Sequence, residues 1–442
     1  MANLVTKQKQ IKGWVMFDWA NSAYNLVIVS TVFPAIFKTF VPNGSVFLGF
    51  SFPSSDSLYT YSICVSYLII SLITPVLSGI ADYGGYKKKY MQFFSTLGAI
   101  ACASLFFFDK EHVWIGIVGA IVASVGFSGS LVFYNGFLSE LVPKRLHDKI
   151  SAKGFAYGYL GSSLLLIFLI LLNTFKALFG VAPDDGVTIF RFGFILVGLW
   201  WFGWARWTFS VLPSSTKGKV DKKGILKKGF KELKSVWNQI KEMPRLKRFL
   251  ASFFIIDLGV QTIVIIAPLF AIKVFKMGSS ELVVIVLIMQ FLGIAGASLF
   301  SKVSKTYGNV IGMIGPTITY LLVCTLACVA NEEAKWMIYL IAALIGFAMG
   351  GIQSLFRSTY SKLLPETDDH ASFFSFFDIV EKVAILTGTF IYAGIDLLVS
   401  KLNWDFGERL GVATLGVFFI VGLILLRRLK NFKSLEPSTA LI

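Results

Sequence analysis

This chain has 442 residues, of which 55% are hydrophobic and only 15% are charged, so it carries more apolar surface than a soluble core of that length can bury. A mean hydropathy of +0.72 therefore predicts that lipid is the solvent for much of the chain. The long continuous apolar runs exclude a transmembrane β-barrel, and the net charge of +16 does not indicate nucleic-acid binding, because the charges fall in the loops between those runs.

Twelve apolar runs are long enough to cross about 30 Å of hydrocarbon as helices, which takes about 20 residues each. The twelve predicted spans cover residues 14–40, 58–81, 91–108, 113–138, 152–175, 190–212, 249–273, 280–300, 309–330, 335–358, 373–397 and 406–427. Pro34, Pro75, Pro268 and Pro316 fall inside spans, which a helix bundle tolerates because neighbouring helices and local readjustment satisfy the freed backbone groups.

The Lys and Arg residues concentrate on one side of the predicted membrane. About 30 of them lie in the N-terminus, the even-to-odd loops and the C-terminal tail, against about 9 in the alternate loops. Because positive loops face the cytoplasm, both termini are predicted to be inside, and we expect a bacterial inner membrane. Residues 1–13 lack the pattern of a cleaved signal, so the first span is expected to act as an uncleaved insertion signal.

The longest hydrophilic stretch follows the sixth span and divides the chain into two sets of six. The predicted domains are an N-terminal bundle at 1–212, a cytoplasmic linker at 213–248 and a C-terminal bundle with its tail at 249–442. Apolar residues recur in the linker at helical spacing between lysines, at Leu226, Phe230, Leu233, Trp237 and Ile240. This predicts a basic amphipathic helix, either a linker on the anionic inner leaflet or a regulatory binding helix.

A weak internal repeat relates the two sets of spans. The segment FYNGFLSELVP (133–143) parallels LFRSTYSKLLP (355–365), and Asp18 and Ser22 in the first span match Asp257 and Gln261 in the seventh. Parallel repeats with a substrate site between two halves are typical of major facilitator transporters. The predicted fold class is therefore an all-α integral membrane protein of twelve helices in two pseudo-symmetric six-helix bundles.

Five segments resemble successive signatures of the vacuole-effluxer branch of the major facilitator superfamily, also called the unknown major facilitator family. They are GWVMFDWANSAYN (13–25), SGIADYGGYKKK (78–89), FYNGFLSEL (133–141), SAKGFAYGYLG (151–161) and GGIQSLFRSTYSKLLP (350–365). The resemblance covers the first eleven spans. It implies the major facilitator fold and efflux of amino acids or similar zwitterions, as associated with fungal vacuolar members of that branch.

The segment after the second span resembles the general loop motif of the superfamily and predicts a gating element. Its predicted gating residues are Gly79, Asp82, Gly85 and Lys87. Gly79 allows close helix contact, Asp82 can meet a helix N-terminus or a cation, and Gly85 permits a turn. The equivalent loop after the eighth span, SLFSKVSKTYGN, lacks the acid, so any charge lock is expected to be weaker there.

The first span carries a polar stripe that is a candidate for the transport pathway. Its residues Asp18, Asn21, Ser22 and Asn25 fall within an arc of about 100° on the helix. They either line a pathway or cap and cross-link helices near the cytoplasmic end. Asn135 in the fourth span and Gln353 in the tenth are further candidate pathway residues.

The eleventh span carries the most concentrated charges predicted at membrane depth. Asp378, Glu381 and Lys382 share one helix face, and Asp378 and Lys382 are spaced for an ion pair. They either bind substrate and protons or form a structural ion cluster. The functional interpretation makes Lys382 the anchor for a substrate carboxylate and an acid the proton-titrating group. Asp257 and Gln261 in the seventh span could meet these charges, although the sequence does not show that contact.

Arg206 and Arg357 lie close to cytoplasmic ends of spans and are predicted to be snorkelling anchors rather than ligands. The sequence contains no P-loop, and the four cysteines lie in predicted spans without metal-ligand spacing. We therefore predict no metal, no cofactor and no enzymatic activity.

The sequence thus predicts a secondary active transporter that moves a small solute, expected to be an amino acid or similar zwitterion, by proton-linked alternating access. The expected partners are the substrate, protons and membrane lipid including anionic inner-leaflet lipid, with no nucleic acid, and the protein is expected to be a monomer. Two alternatives remain open: an exporter of drug-like or lipidic amphiphiles, and a non-transporting scaffold that keeps the facilitator fold.

Overall fold

The computed structural model describes residues 2–52, 54–214, 224–402 and 407–429. Its α-helices are α1 (Ala2–Ala23), α2 (Phe33–Phe40), α3 (Ser55–Gly84), α4 (Lys87–Ser104), α5 (Val113–Leu141), α6 (His147–Thr174), α7 (Thr188–Val211), α8 (Ile225–Glu242), α9 (Pro244–Phe275), α10 (Ser279–Tyr307), α11 (Asn309–Val329), α12 (Trp336–Leu363), α13 (His370–Leu402) and α14 (Gly407–Arg428). A π-helix (Tyr24–Val32) joins α1 to α2, and the strands β1 (Val46–Phe47) and β2 (Phe50–Ser51) form an antiparallel hairpin. Short 3-10 turns occupy Leu105–Phe107, Lys144–Leu146 and Lys176–Phe179.

Helices cover all twelve predicted spans within the described residues, and the predicted fold class is confirmed. Eleven of these helical segments are long and apolar enough to cross a membrane. The remaining segment, α13, is less apolar than the other eleven. Every 18-residue stretch between His370 and Ile395 contains the three charged residues Asp378, Glu381 and Lys382. The first helix begins at Ala2, well before the predicted residue 14, because polar residues can extend a helix beyond the hydrocarbon layer.

The π-helix lies in the first membrane-spanning segment, just before Pro34. A proline ring clashes with the carbonyl four residues earlier and supplies no N–H, so a wider helical turn relieves the conflict. Side-chain hydroxyls occupy part of the disrupted ladder: Ser30 Oγ donates to the carbonyl of Asn25 at 2.9 Å, and Thr31 Oγ1 donates to that of Leu26. The helices continue through Pro75, Pro268 and Pro316, as the sequence predicts.

The chain divides into two compact units. The first comprises Met1–Phe137 with Tyr157–Leu233, and the second comprises Leu138–Ala156 with Lys234–Ile442. The segment 138–156, which includes the end of α5 and the beginning of α6, thus belongs to the second unit although its flanking residues belong to the first. The predicted domain boundaries after residues 212 and 248 stay predictions.

Aromatic rings fill the core of the first unit around α1. Trp14 stacks on Tyr134 of α5 with ring centroids 4.5 Å apart, and Trp14 Nε1 donates to the Tyr134 carbonyl at 2.9 Å. Tyr24 packs against Trp201 of α7 at 5.6 Å, and both rings are buried. The single polar group of Tyr24 is satisfied, because its hydroxyl lies 2.8 Å from Ser124 Oγ.

Glycine allows two helices of the second unit to touch at the backbone. A Cβ atom at Gly350 of α12 would lie 1.9 Å from the Gly293 carbonyl oxygen of α10, and one at Gly346 would lie 2.2 Å from that of Met289. Within lipid, helix association depends on such close van der Waals contact. Gly346 and Gly350 therefore form the face of α12 that contacts α10.

The loop before α7 ends on an acidic cap. Asp185 accepts hydrogen bonds from the backbone N–H groups of Val187 and Thr188, each at 2.9 Å, and from the Thr188 hydroxyl at 2.6 Å. These bonds, led by that from the Thr188 hydroxyl, lower the pKa of Asp185 to about 2. The cap thus stays ionised at the start of α7, where the helix dipole favours a negative charge.

Candidate substrate site

The charged residues of α13 form a buried cluster. Lys382 Nζ lies 3.4 Å from Asp378 Oδ1 and 3.8 Å from Glu381 Oε2. The side chains of Asp378 and Lys382 are each 7% exposed, whereas that of Glu381 is 29% exposed. The predicted ion pair four residues apart is thus present, and Glu381 is the member of the cluster with access to solvent.

Asp257 of α9 brings a third acid to this cluster. It is 1% exposed, and the charges of both Glu381 and Lys382 act on it. Gln261, one turn further along α9, donates from Nε2 to Asp257 Oδ1 at 3.2 Å. The structure therefore brings Asp257, hydrogen-bonded to Gln261, to the α13 charges.

The cluster has unused hydrogen-bonding capacity. Asp257 Oδ2 and Asp378 Oδ2 are buried and accept no hydrogen bond from any residue that the structure describes. Buried carboxylate oxygens are costly to leave unsatisfied, so such a site favours an added proton or a cationic ligand group. Three carboxyl groups and one ammonium group can then meet a ligand that bears charges of both signs.

The polar residues of α1 have mixed surroundings. Asp18 is 5% exposed, and its Oδ2 accepts a hydrogen bond from the Tyr134 hydroxyl at 2.7 Å. This bond ties α1 to α5 and supports the structural alternative for Asp18. Asn21 is buried with an amide nitrogen that donates to no described residue, whereas Asn25, at the start of the π-helix, is exposed.

The remaining predicted pathway residues are partly buried in both units. A Cβ added at Gly158 of α6 would lie 2.4 Å from Ser22 Oγ, so Ser22 lies at a close contact between α1 and α6. Asn135 of α5 is half-buried, and its side-chain oxygen has no partner within the described ranges. Gln353 of α12 is also half-buried. The α1 and α5 candidates belong to the first unit, and those of α9, α12 and α13 belong to the second.

The predicted gating residues lie at the junction of α3 and α4. Asp82 is 2% exposed, and its Oδ1 lies 3.5 Å from Lys87 Nζ, so the acid meets a cation. Lys87 also lies over the Phe137 ring, 5.9 Å from its centroid. Gly85 ends α3 with φ of 67°, a left-handed conformation that favours glycine. A Cβ at Gly79 would lie 2.4 Å from the Gly229 carbonyl oxygen of α8.

The sequence analysis did not identify a buried polar cluster around Asp148 in the second unit. Lys362 Nζ of α12 lies 2.6 Å from Asp148 Oδ2, and both side chains are 5% exposed. Asn309 donates to Asp148 Oδ1 at 3.1 Å, and the Ser304 hydroxyl donates to Oδ2 at 2.9 Å. The only available signal was an acid in the first turn of α6, which has an ordinary explanation as a favourable helix-dipole position.

Arg357 lies five residues before Lys362 on α12, and its predicted role as a snorkelling anchor is wrong. The residue is 4% exposed. Its Nε donates to Ser151 Oγ and its Nη2 to the Ser151 carbonyl, each at 2.9 Å, while the guanidinium lies 4.2 Å from the centroid of Phe155. The N-terminal part of α6 supplies these partners, which hydropathy alone does not reveal. Arg206 is exposed.

The two segments of the internal repeat meet inside the second unit. Ser139 and Ser361 occupy equivalent positions in the two segments, and their hydroxyl oxygens lie 2.7 Å apart. Lys144 Nζ donates to the Leu364 carbonyl at 2.8 Å. These bonds, with those of Asp148 and Arg357, explain why residues 138–156 belong to the second unit.

The fold is that of a major facilitator transporter. The chain is similar to the human organic anion transporter MFSD10, with a TM-score of 0.72 at 9% identity over 95% of this chain and 99% of that one. It is also similar to the E. coli fucose:proton symporter FucP, with a TM-score of 0.64 at 14% identity over 98% of this chain and 100% of that one. Both resemblances concern the fold alone.

Residues 6–436 match the family described as vacuole effluxer Atg22 like, and the chain belongs to that family. It is 30% identical over 424 residues to the MFS-type transporter YxiO of Bacillus subtilis, covering 95% of this chain and 94% of that protein. It is 22% identical over 516 residues to autophagy-related protein 22 of Coccidioides immitis, covering 91% and 84%. The protein is thus an integral membrane secondary transporter, and its family is not one of enzymes.

Proposed function

We propose that this transporter carries a small zwitterion, an amino acid or a similar solute, by alternating access coupled to protons. The observation that supports it is the buried cluster of Asp257, Asp378, Glu381 and Lys382. Ionisable groups within a membrane are costly and usually serve a substrate or ion pathway. The family description as effluxers supports export as the direction.

Each member of the cluster has a role in this proposal. The Lys382 ammonium binds the substrate carboxylate, because it is the positively charged group of the cluster, beside Asp378 and Glu381. The unsatisfied oxygens of Asp257 and Asp378 receive the substrate ammonium group or a proton. Glu381 is the group that exchanges protons with water, since its side chain is more exposed than those of Asp257 and Asp378.

We further propose a role for the gating residues, an orientation in the membrane and a set of partners. The loop of Asp82 and Lys87 gates one face of the protein through its buried ion pair. The excess of Lys and Arg in the loops on this side supports a cytoplasmic location for this face and for both termini, in a bacterial cell. The substrate, protons and membrane lipid are the proposed partners of a protein that acts as a monomer.

Counterflow in proteoliposomes tests the substrate class. Vesicles loaded with one unlabelled amino acid should accumulate the same labelled amino acid transiently, and millimolar concentrations of the transported solute should raise the melting temperature in detergent. Accumulation of apolar cations without amino acids would refute the zwitterion proposal in favour of a drug exporter. If no solute in a broad panel exchanges or stabilises, the result instead supports the scaffold alternative.

A further inference from the structure

The linker helix α8 has four distinct edges. Gly229, Val236 and Ile240 form a buried edge that packs against the protein. Next to it, the side chains of Phe230 and Trp237 are 56% and 46% exposed. Exposed aromatic side chains on a helix attached to a membrane bundle are typical of the membrane–water interface.

A row of exposed lysines follows the aromatic edge. The row consists of Lys227, Lys231, Lys234 and Lys241. At about 100° per residue, these four positions fall on the side of Phe230 and Trp237 that points away from the buried edge. Lys241 Nζ lies 5.2 Å from the centroid of the Trp237 ring, so cationic and aromatic groups lie side by side.

The fourth edge of α8 is polar and faces open space. An open groove of about 580 Å³ is lined by polar side chains, among them Ser235, Asn238 and Gln239, together with Pro365 after α12. The order of buried, aromatic, basic and polar edges is that of a helix that lies in the plane of a membrane surface. Its lysines then lie at the depth of lipid headgroups.

Contacts fix α8 to membrane-spanning helices near both of its ends. Gly229 lies against Gly79 of α3, where a Cβ on Gly79 would come within 2.4 Å of the Gly229 carbonyl oxygen. Lys228 Nζ lies 5.3 Å from the centroid of Tyr83, one residue after Asp82. In the other half of the helix, Trp237 stacks on Phe376 of α13 at 5.5 Å. The helix thus contacts the gating segment and the helix that carries the charge cluster.

We propose that the lysine row of α8 binds the headgroups of anionic phospholipids, and that this binding holds α8 against the gating segment of α3. Four ammonium groups complement anionic phosphates, and the neighbouring aromatic edge favours a lipid surface over an acidic protein. Membrane charge thereby stabilises the contact between Gly229 and Gly79. This inference concerns lipid binding and does not depend on the identity of the transported solute.

The experiment compares the full-length protein in nanodiscs of phosphatidylcholine with nanodiscs that also contain phosphatidylglycerol. The test variant replaces Lys227, Lys231, Lys234 and Lys241 by Gln. The matched control replaces four exposed basic residues elsewhere by Gln, namely Lys302, Lys305, Arg427 and Arg428. The melting temperature is measured in both lipids, at low salt and at about 1 M salt, where the screening length is about 3 Å.

Phosphatidylglycerol should raise the melting temperature of the wild type and the control by several degrees at low salt. The test variant should lose most of that rise, and high salt should abolish it in every form. A test variant that keeps the full rise, or a control that loses as much, would overturn the proposal.

Quenching by brominated lipid gives a second readout that does not depend on stability. The difference in quenching between the wild type and Trp237→Phe should show that Trp237 contacts lipid. If Trp237 is not quenched and phosphatidylglycerol does not change the melting temperature of any form, α8 does not bind lipid. That result would overturn the proposal and favour an acidic protein as the partner of the lysine row.

Discussion

Replacing Asp148 by Asn should destabilise the protein strongly. The substitution preserves the shape of the side chain but removes the charge 2.6 Å from Lys362 Nζ. Lys362 is then left as a buried ammonium with neutral amide acceptors, such as the side-chain oxygen of Asn309 at 3.0 Å. An uncompensated buried charge of this kind costs about 3–5 kcal/mol.

The reverse substitution should cost less, because the two partners have different surroundings. In Lys362→Met, the Asp148 carboxylate keeps hydrogen bonds from Asn309 and Ser304. The double variant Asp148→Asn with Lys362→Met removes both charges and should recover much of the loss. The coupling energy from this cycle should be at least about 2 kcal/mol, the scale expected for residues in one ion-pair network.

Unfolding in detergent can be followed with a thiol-reactive fluorescent dye, since Cys102 and Cys324 are buried free thiols. The expected order of melting temperatures is wild type, then Lys362→Met and the double variant, then Asp148→Asn. A melting temperature of Asp148→Asn equal to that of the wild type would show that the Asp148 charge does not stabilise the fold through Lys362. A double variant no more stable than Asp148→Asn alone would do the same.

Three further predictions concern topology and the gating segment. Cysteine at the exposed position Asp184 should react with an impermeant thiol reagent from outside intact cells, and cysteine at Ser214 should not; the opposite pattern would invert the proposed orientation. Gly79→Ala places a methyl group 2.4 Å from the Gly229 carbonyl oxygen, so α8 should separate from α3, and a spin-label pair should report a longer distance. Asp82→Asn removes the negative charge 3.5 Å from Lys87 Nζ and should shift the balance between inward-facing and outward-facing states several-fold. Unchanged cysteine accessibility from both sides of the membrane would contradict the gating role.

The sequence predicted the membrane-spanning helices well because bilayer thickness fixes their length and lipid fixes their composition. It also predicted the pair of Asp378 and Lys382, since four residues along one helix always bring side chains together. The sequence offered the meeting of Asp257 with these charges only as an option, because no pattern in it shows a contact between α9 and α13. Local periodicity was therefore enough for pairs on one helix but not for contacts between helices.

The remaining features depend on contacts between distant segments. The partners of Arg357 lie about two hundred residues away on α6, so its position near a span end wrongly indicated snorkelling. The network of Asp148 and Lys362 joins residues of ordinary appearance for the same reason. The π-helix before Pro34 is a local choice among several ways to accommodate a proline, and its sequence does not select one.

Paired assays of Glu381→Gln and Lys382→Ala test whether the α13 cluster binds substrate and protons. In proteoliposomes, Glu381→Gln should keep counterflow but lose proton-driven accumulation, because exchange does not require release of the proton. Lys382→Ala should lose transport or shift its pH profile, whereas Lys335→Ala, at an exposed loop lysine, should resemble the wild type. Wild-type rate and pH profile in Lys382→Ala would contradict the account and make the cluster purely structural.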